Sequence, residues 1–489
     1  MIWKDYFYNV IKNILNRFKT KKDSWLLLAG NILLASINFL IISVLSHNLS
    51  PVDYGLLREV LLYTGLLLSV GSAGFSQTLY YLLNREDYKY KADIIVKQIR
   101  ILQLAILLCL ISLILILYLE GLFKYLYLND LLYIILYITF LIITCVDLNL
   151  SIVNKKVEKY IIMNALLLIV KLFVFWLLAI KDFSISYYIF ALCFFQGCMF
   201  LGNYGLLKSN YFGVKNWMIN SEIISLILKY SFPLFLTSIF AFLMYNTDKF
   251  IISFFAETKK EFAIISNISF EAPIISTIYL SFFTISLPYM IKAFDKGDFE
   301  QVLSERFDYI FKVAKIILPV VVSFIVWSND YMVLIFGATY KEYGGLFSIF
   351  STISLLRFCS HHDIFLATNN TSYILFYQII ELVFQVILSI SLYYFFDLLG
   401  LIIASVITNY GYMFFVNLKS SKILKVKFKD ILPFAFLIKR VVTLSISAII
   451  VKYVFENIFT NIFWMIPLII WLLIIAFVEF RILKGQNSQ

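Results

Sequence analysis

Polar and apolar positions separate into blocks along this chain. Runs of about 20 apolar residues, the length that crosses a bilayer, recur from residue 24 to residue 480 with short polar joints between them. Fourteen spans are predicted, at 24–47, 54–83, 98–119, 127–153, 161–181, 184–207, 229–254, 262–291, 309–328, 343–367, 372–395, 398–418, 434–456 and 460–480. The second and eighth are long enough to tilt or protrude. Ahead of the first span, Trp3, Phe7, Val10, Ile14 and Phe18 share one helical face, with Lys4, Lys12, Arg17 and Lys19 elsewhere. This predicts an interfacial amphipathic helix over 1–23 on the cytoplasmic leaflet; a solvated tail is the alternative. No small-residue cleavage pattern follows, so no cleavable signal peptide is expected.

Composition sharpens the class. Of 489 residues, 62% are hydrophobic and 15% charged, against about 45–50% and about 25% in soluble domains. A soluble enzyme, a disordered chain and a nucleic-acid-binding domain are thereby excluded. The net charge of +11 is a topology signal. With the N-terminus inside, inner segments hold 30 of the 41 Lys and Arg residues and outer loops hold 5. This bias predicts that both termini are cytoplasmic. The five cysteines lie in apolar runs and read as free thiols packed as small hydrophobes. The loops are too short for an extramembrane catalytic domain. No P-loop, H-E-x-x-H, paired C-x-x-C or G-x-S-x-G motif occurs. The chain reads as a non-enzyme that moves something across the membrane.

Shifting the chain by 208 residues lays spans 1–6 on spans 7–12. Asp53, Tyr54 and Gly55 fall on Glu261, Phe262 and Ala263; Leu79, Tyr81 and Asp87 fall on Leu287, Tyr289 and Asp295. Six spans per unit keep the same orientation. The expected fold is therefore all-α, with two parallel six-helix lobes around a central cavity and two appended helices. The divisions are 1–23 (interfacial helix), 24–222 (spans 1–6), 223–430 (spans 7–12) and 431–489 (spans 13 and 14 with the tail).

Charges inside spans are costly and point to function. Arg58 sits just inside the outer end of span 2, with Gly65, Ser69, Ser72 and Ser76 on its face. This is either an open polar stripe through the membrane, or close packing through small residues with Arg58 snorkelling outward. Asn31 and Asn38 share a face of span 1, and Asn267 and Glu271 a face of span 8. Asp248 and Lys249 lie near the outer end of span 7, as cavity groups or as a snorkelling pair. Lys171, midway along span 5, faces the cavity or pairs with Asp147 or Glu381. Arg357 and His361 lie four apart on span 10, followed by His362 and Asp363. Adjacent histidines diverge on a helix, so no metal site is expected there; a proton relay or plain polar packing remains. Pro233, Pro273 and Pro319 are candidate kinks or hinges.

Several stretches together resemble a known family. Ser46–Gly55 (SHNLSPVDYG) resembles the L-x-P-x-[DE]-[YF]-G signature of bacterial polysaccharide-repeat flippases, the Wzx-type branch of the MOP superfamily. Asn246–Ile252 (NTDKFII) resembles its D-[RK]-x-I-I, and Leu287-Pro288 its proline at the end of helix 8. Phe336-Gly337 with Lys341, and Leu399–Ala404 (LGLIIA), fit its later helices; Ala263 departs from the glycine often found there. The resemblance covers nearly the whole chain. It implies a bacterial inner-membrane flippase that carries an undecaprenyl-diphosphate-linked oligosaccharide from the cytoplasmic to the periplasmic leaflet, as in O-antigen biosynthesis. It implies no cofactor, contact with membrane lipid, and polymerase and chain-length proteins of the same pathway as candidate partners; whether an H⁺ gradient, an Na⁺ gradient or membrane potential alone drives the cycle is left open. The residues then expected to bind substrate are Arg58, Lys249, Lys171, Arg357, Asn31, Asn38 and Asn267; those expected to couple an ion are Glu271, Asp248, Asp147 and Glu381. A multidrug or metabolite exporter of the related MATE-type branch, a membrane glycan polymerase and a scaffold without transport are the competing readings.

Overall fold

The computed structural model describes residues 22–83, 91–119, 127–181, 183–211, 219–359, 362–368, 370, 372–458 and 465–486. The leader helix predicted over 1–23, apart from its last two residues, and His361 lie outside them. The described secondary structure is helical throughout: α1 (Lys22–Asn48), α2 (Pro51–Ser72), α3 (Phe75–Leu83), α4 (Ala92–Leu119), α5 (Leu128–Thr144), α6 (Asp147–Val153), α7 (Val157–Ile180), α8 (Ile185–Tyr211), α9 (Ser221–Phe255), α10 (Lys259–Ile268), α11 (Pro273–Asp295), α12 (Phe299–Val326), α13 (Ser328–Phe336), α14 (Gly344–Ser351), α15 (Asp363–Ala367), α16 (Ser372–Ile423), α17 (Phe434–Ile458) and α18 (Met465–Gln486).

Eleven spans among the described residues are long and apolar enough to cross a membrane, and Met465–Phe477 is a shorter apolar helix; the expected all-α, multi-span class holds, with eleven such spans described where fourteen were expected. Two differences from the sequence reading account for part of this. Spans 11 and 12 are merged as α16, interrupted at Asp397, whose φ of 50° and ψ of −134° turn the chain. Span 10 is not a helix: α14 gives way to 3-10 turns at Thr352–Leu355 and Arg357–Cys359 before α15. Large apolar side chains such as Leu108, Phe173, Trp176, Ile446 and Ile450 stand exposed along these helices, a surface that suits lipid rather than water.

Breaks in the spans follow local chemistry and distant donors. Span 2 breaks between α2 and α3 at Ala73 and Gly74, both at positive φ. Span 8 breaks between α10 and α11, because Pro273 opens α11 and disfavours helix in the residue before it. Span 4 breaks between α5 and α6, leaving carbonyls without intrahelical partners. Gln103 donates to Ile142 O at 2.7 Å and Arg100 donates to Ile143 O. In span 10, Tyr410 donates to Thr352 O (2.8 Å), Tyr309 to Phe358 O (2.9 Å) and Arg306 to Cys359 O (3.1 Å). Pro233 and Pro319 lie inside continuous helices.

One pair of elements follows the 208-residue shift closely. α4 and α12 are each 28 residues long and begin 207 residues apart. Contacts divide the chain into two units. Unit one holds the chain up to Leu49 together with Val60–Phe242; unit two holds Ser50–Glu59 and everything from Leu243 on. The boundary therefore falls inside α9 rather than in the loop near residue 222. α9 is 35 residues long, about 52 Å at 1.5 Å per residue. Its first part packs in unit one, where Tyr230 stacks on Tyr81 and Leu234 closes on Gly74. Unit one has a core of Phe75, Leu79, Leu82, Ile95, Ile99 and Leu150 among others. The core of unit two is built on α11, α12, α17 and α18, with Trp327 against Trp471.

Candidate functional site

The eleven residues singled out from the sequence divide between the units. Asn31, Asn38, Lys171 and Asp147 belong to unit one; Arg58, Asp248, Lys249, Asn267, Glu271, Arg357 and Glu381 belong to unit two. In unit two they converge, although they come from five places in the chain.

The start of α2 explains how Arg58 is positioned. Ser50 caps the helix: the Asp53 N–H donates to Ser50 Oγ (3.1 Å) and Ser50 Oγ–H donates to Asp53 Oδ2 (2.6 Å). Ser50 is thus the N-cap, with Pro51 at the first helical position. The helix then docks on α10. Tyr54 OH donates to Asn267 Oδ1 at 2.8 Å, and its ring meets Tyr340 edge-on at 6.4 Å between centroids. A Cβ on Gly55 would stand 1.9 Å from Lys259 O, so only glycine permits this approach. Glu59 pairs with Lys259 at 2.7 Å and accepts from Ser253. Arg58 Nη2 donates to Ser266 O at 3.4 Å. That carbonyl belongs to the last turn of α10, where carbonyls lack intrahelical donors and the helix dipole attracts a cation. Arg58 and Ser266 are 208 residues apart, the repeat offset, so the contact joins equivalent positions of the two repeats. The guanidinium does not snorkel outward. Nor does the small-residue stripe stay open: a Cβ on Gly65 would lie 2.9 Å from the Phe242 ring, and Ser76, beyond the break, accepts from Asn149 at 2.8 Å.

The other charges of unit two connect to Arg58 through Lys249. Lys249 Nζ is 3.7 Å from Asp248 Oδ1 and within electrostatic reach of both Arg58 and Arg357. Arg357, on its 3-10 turn, pairs with Glu271 at 2.9 Å. It covers the Tyr245 ring at 4.4 Å and donates to the Tyr279 hydroxyl. Glu271 lies in the gap between α10 and α11, not on a helical face shared with Asn267 as the sequence suggested. Glu381 is buried near Arg357 with no hydrogen-bond partner on either oxygen. Gln378 Oε1, Gln385 Oε1 and Ser389 Oγ on its own helix, and Ser405 Oγ, are likewise buried without partners. His362 contacts the Tyr412 hydroxyl at 3.0 Å through Nε2. Among the described residues no group of three or more His, Cys, Asp or Glu could hold a metal ion.

The unit-one residues are placed differently. Asp147 is buried and bound by Arg100 at 3.0 Å, so it is not the partner of Lys171. Lys171 lies over the Phe175 ring at 5.4 Å. Asn31 and Asn38 are exposed on α1, and Asn38 Nδ2 donates to Leu34 O. Sequence reasoning missed the Arg–Asp pairs. Arg306 is fully buried and donates to Asp363 (2.6 Å), Asn417 Oδ1 (2.8 Å), Ile431 O (3.0 Å) and Cys359 O. The 208-residue shift brings Arg100 within two positions of Arg306, a signal that charge counting by loop had absorbed into topology.

No family model and no curated protein matches the sequence. Solved structures do match the fold. One is "Lipid II flippase MurJ, inward closed conformation", with a TM-score of 0.64 and 17% identity over 94% of this chain and 99% of that one. A multidrug resistance MATE family transporter of the MOP superfamily in its inward-facing conformation matches with a TM-score of 0.58 and 14% identity, over 80% of this chain and 94% of that one. A MOP superfamily transporter from Pyrococcus furiosus matches at 0.54 and 14%, over 82% and 96%. At such identities the likeness is one of architecture: the chain has the helical fold that this lipid II flippase shares with MATE transporters of the MOP superfamily.

Proposed function

We propose that the chain flips an undecaprenyl-diphosphate-linked oligosaccharide from the cytoplasmic to the periplasmic leaflet of a bacterial inner membrane by alternating access. The observation that carries this reading is the gathering of Arg58, Lys249 and Arg357 in unit two within mutual electrostatic reach of Lys249. A diphosphate does not cross hydrocarbon unaided, and a cation in low dielectric attracts it several times more strongly than in water. Arg58 offers a planar fork to phosphate oxygens, while Lys249 and Arg357 start from carboxylate partners that a stronger anion displaces. The shared fold with a lipid II flippase supports a lipid substrate.

Coupling to H⁺ or Na⁺ is assigned to Glu381, because its two buried oxygens and the neighbouring Gln378 and Gln385 oxygens lack donors. Asp248 and Glu271 are the counter-charges of the cationic site. The three carboxylates also favour a second reading, export of organic cations, which uptake assays with such cations in the null strain would reveal.

The central test is surface glycan, measured by immunoblot in a flippase-null strain with membrane levels of each variant checked. Arg58→Ala abolishes or strongly impairs export at near-normal abundance. Arg58→Lys keeps partial activity, because it keeps the charge and loses the fork. Full export by Arg58→Ala moves the site to Lys249, Lys171 or Arg357.

A further inference from the structure

Ser50–Glu59 belongs to unit two, although the chain before it, to Leu49, and after it, from Val60, belongs to unit one. Besides Arg58, the segment is held by two side chains and one backbone approach. Tyr54 bonds Asn267, Glu59 pairs with Lys259 and reaches Ser253, and Gly55 lies against the Lys259 carbonyl. Ser50 only caps its own helix.

Arg58 is held differently. Its single hydrogen bond, 3.4 Å to the neutral Ser266 carbonyl, is long. Among the described residues no carboxylate pairs with it. Lys249 feels its charge as a like charge. A cation so placed is stabilised by any anion that arrives.

We propose that Ser50–Glu59 is a latch, and that a phosphate-bearing lipid opens it by drawing Arg58 from the Ser266 carbonyl. The proposal rests on the reading of the cluster as a diphosphate site. A diphosphate gives the guanidinium two bonds to anionic oxygens in place of one to an uncharged carbonyl, and its charge offsets the repulsion between Arg58 and Lys249. The contacts left behind are the Tyr54–Asn267 hydrogen bond, the edge contact of Tyr54 with Tyr340, and the Glu59–Lys259 ion pair with its Ser253 hydrogen bond. α2 runs unbroken from Pro51 to Ser72, so release separates the helix end from α10 as a rigid element rather than by local unfolding. The ligand shifts the balance only by the contacts it makes when Arg58 is free.

Ser266 reports the state. It is buried and its carbonyl accepts from Arg58, and Ser266→Cys leaves that carbonyl in place. The variant is made in a cysteine-free background that still exports glycan, purified into nanodiscs of bacterial phospholipid, and labelled with a bulky maleimide. The probe is undecaprenyl diphosphate, with its binding followed in parallel by native mass spectrometry. Labelling is expected to be slow alone and at least tenfold faster with the probe. Added Arg58→Ala removes the response to the probe. Added Gly55→Ala places a methyl against Lys259 O and gives fast labelling without probe; should that variant not accumulate, Glu59→Gln, which loses the Lys259 ion pair, raises the basal rate instead. Probe binding with unchanged labelling, or an equal response in Arg58→Ala, overturns the latch and leaves the flippase reading standing. Absence of probe binding overturns the flippase reading itself, and the latch with it.

Discussion

Arg100 and Arg306 are each sealed into one unit by an aspartate that begins a short helix, Asp147 in α6 and Asp363 in α15. In both cases the guanidinium also donates to carbonyls freed where a span breaks. Such a pair costs desolvation to form, yet leaves an uncompensated charge when one member is removed. Asp147, expected from the sequence to couple an ion, is held in such a pair. Asp147→Asn is expected to lower stability by about 3 kcal/mol, the low end for a broken buried pair. Thermal unfolding in detergent measures this. Transport by the surviving folded protein should keep its dependence on H⁺ or Na⁺; a changed ion dependence at unchanged stability would return Asp147 to the coupling site. Arg58 makes the opposite case. Its position was legible as an intramembrane charge, but its bond to Ser266 was not, because nothing in a local window tells which carbonyl of α10 lacks a donor.

At the scale of elements, the connection between spans 11 and 12 is set by two residues. Asp397 adopts φ 50°, ψ −134°, a region natural to glycine and strained for other residues. Gly400 follows, where a Cβ would meet Leu392 O at 2.0 Å. The turn folds the chain so tightly that the backbone of one arm touches the first turn of the other. Asp397→Gly is expected to raise stability by about 1 kcal/mol by relieving that strain, while Gly400→Ala lowers it and reduces membrane abundance. Melting temperatures of the two variants in the same detergent decide it; a loss of stability in Asp397→Gly would mean the aspartate side chain holds the turn. The Leu399–Ala404 stretch was recognised in the sequence for its resemblance alone, and the close approach at Gly400 supplies a physical reason for its glycine. Span 10 shows the limit of the hydropathy pattern. Its residues are apolar enough for a helix, and they form 3-10 turns because Tyr309, Tyr410, Arg306 and Asn417 supply donors from other helices.

For the whole molecule, the distribution of 30 inner against 5 outer Lys and Arg residues predicts cytoplasmic termini. A reporter fused after Gln489 should be active only in the form that works in the cytoplasm, and periplasmic activity there would reject the topology. The same asymmetry predicts that the segment Ser50–Glu59 and the α9–α10 junction lie on the outer face.

Hydropathy and composition determined by themselves that the chain is an all-α membrane protein and where most of its spans lie. Each of these is a sum or a spacing over neighbouring residues, and a single sequence contains it. Only the tertiary structure decided which spans break, how the intramembrane charges sort into unit one and unit two, and which of them are spent on structure. Those outcomes depend on a carbonyl in one span meeting a donor from another, as Ile142 meets Gln103 and Ser266 meets Arg58, and such meetings exist only after the helices have packed.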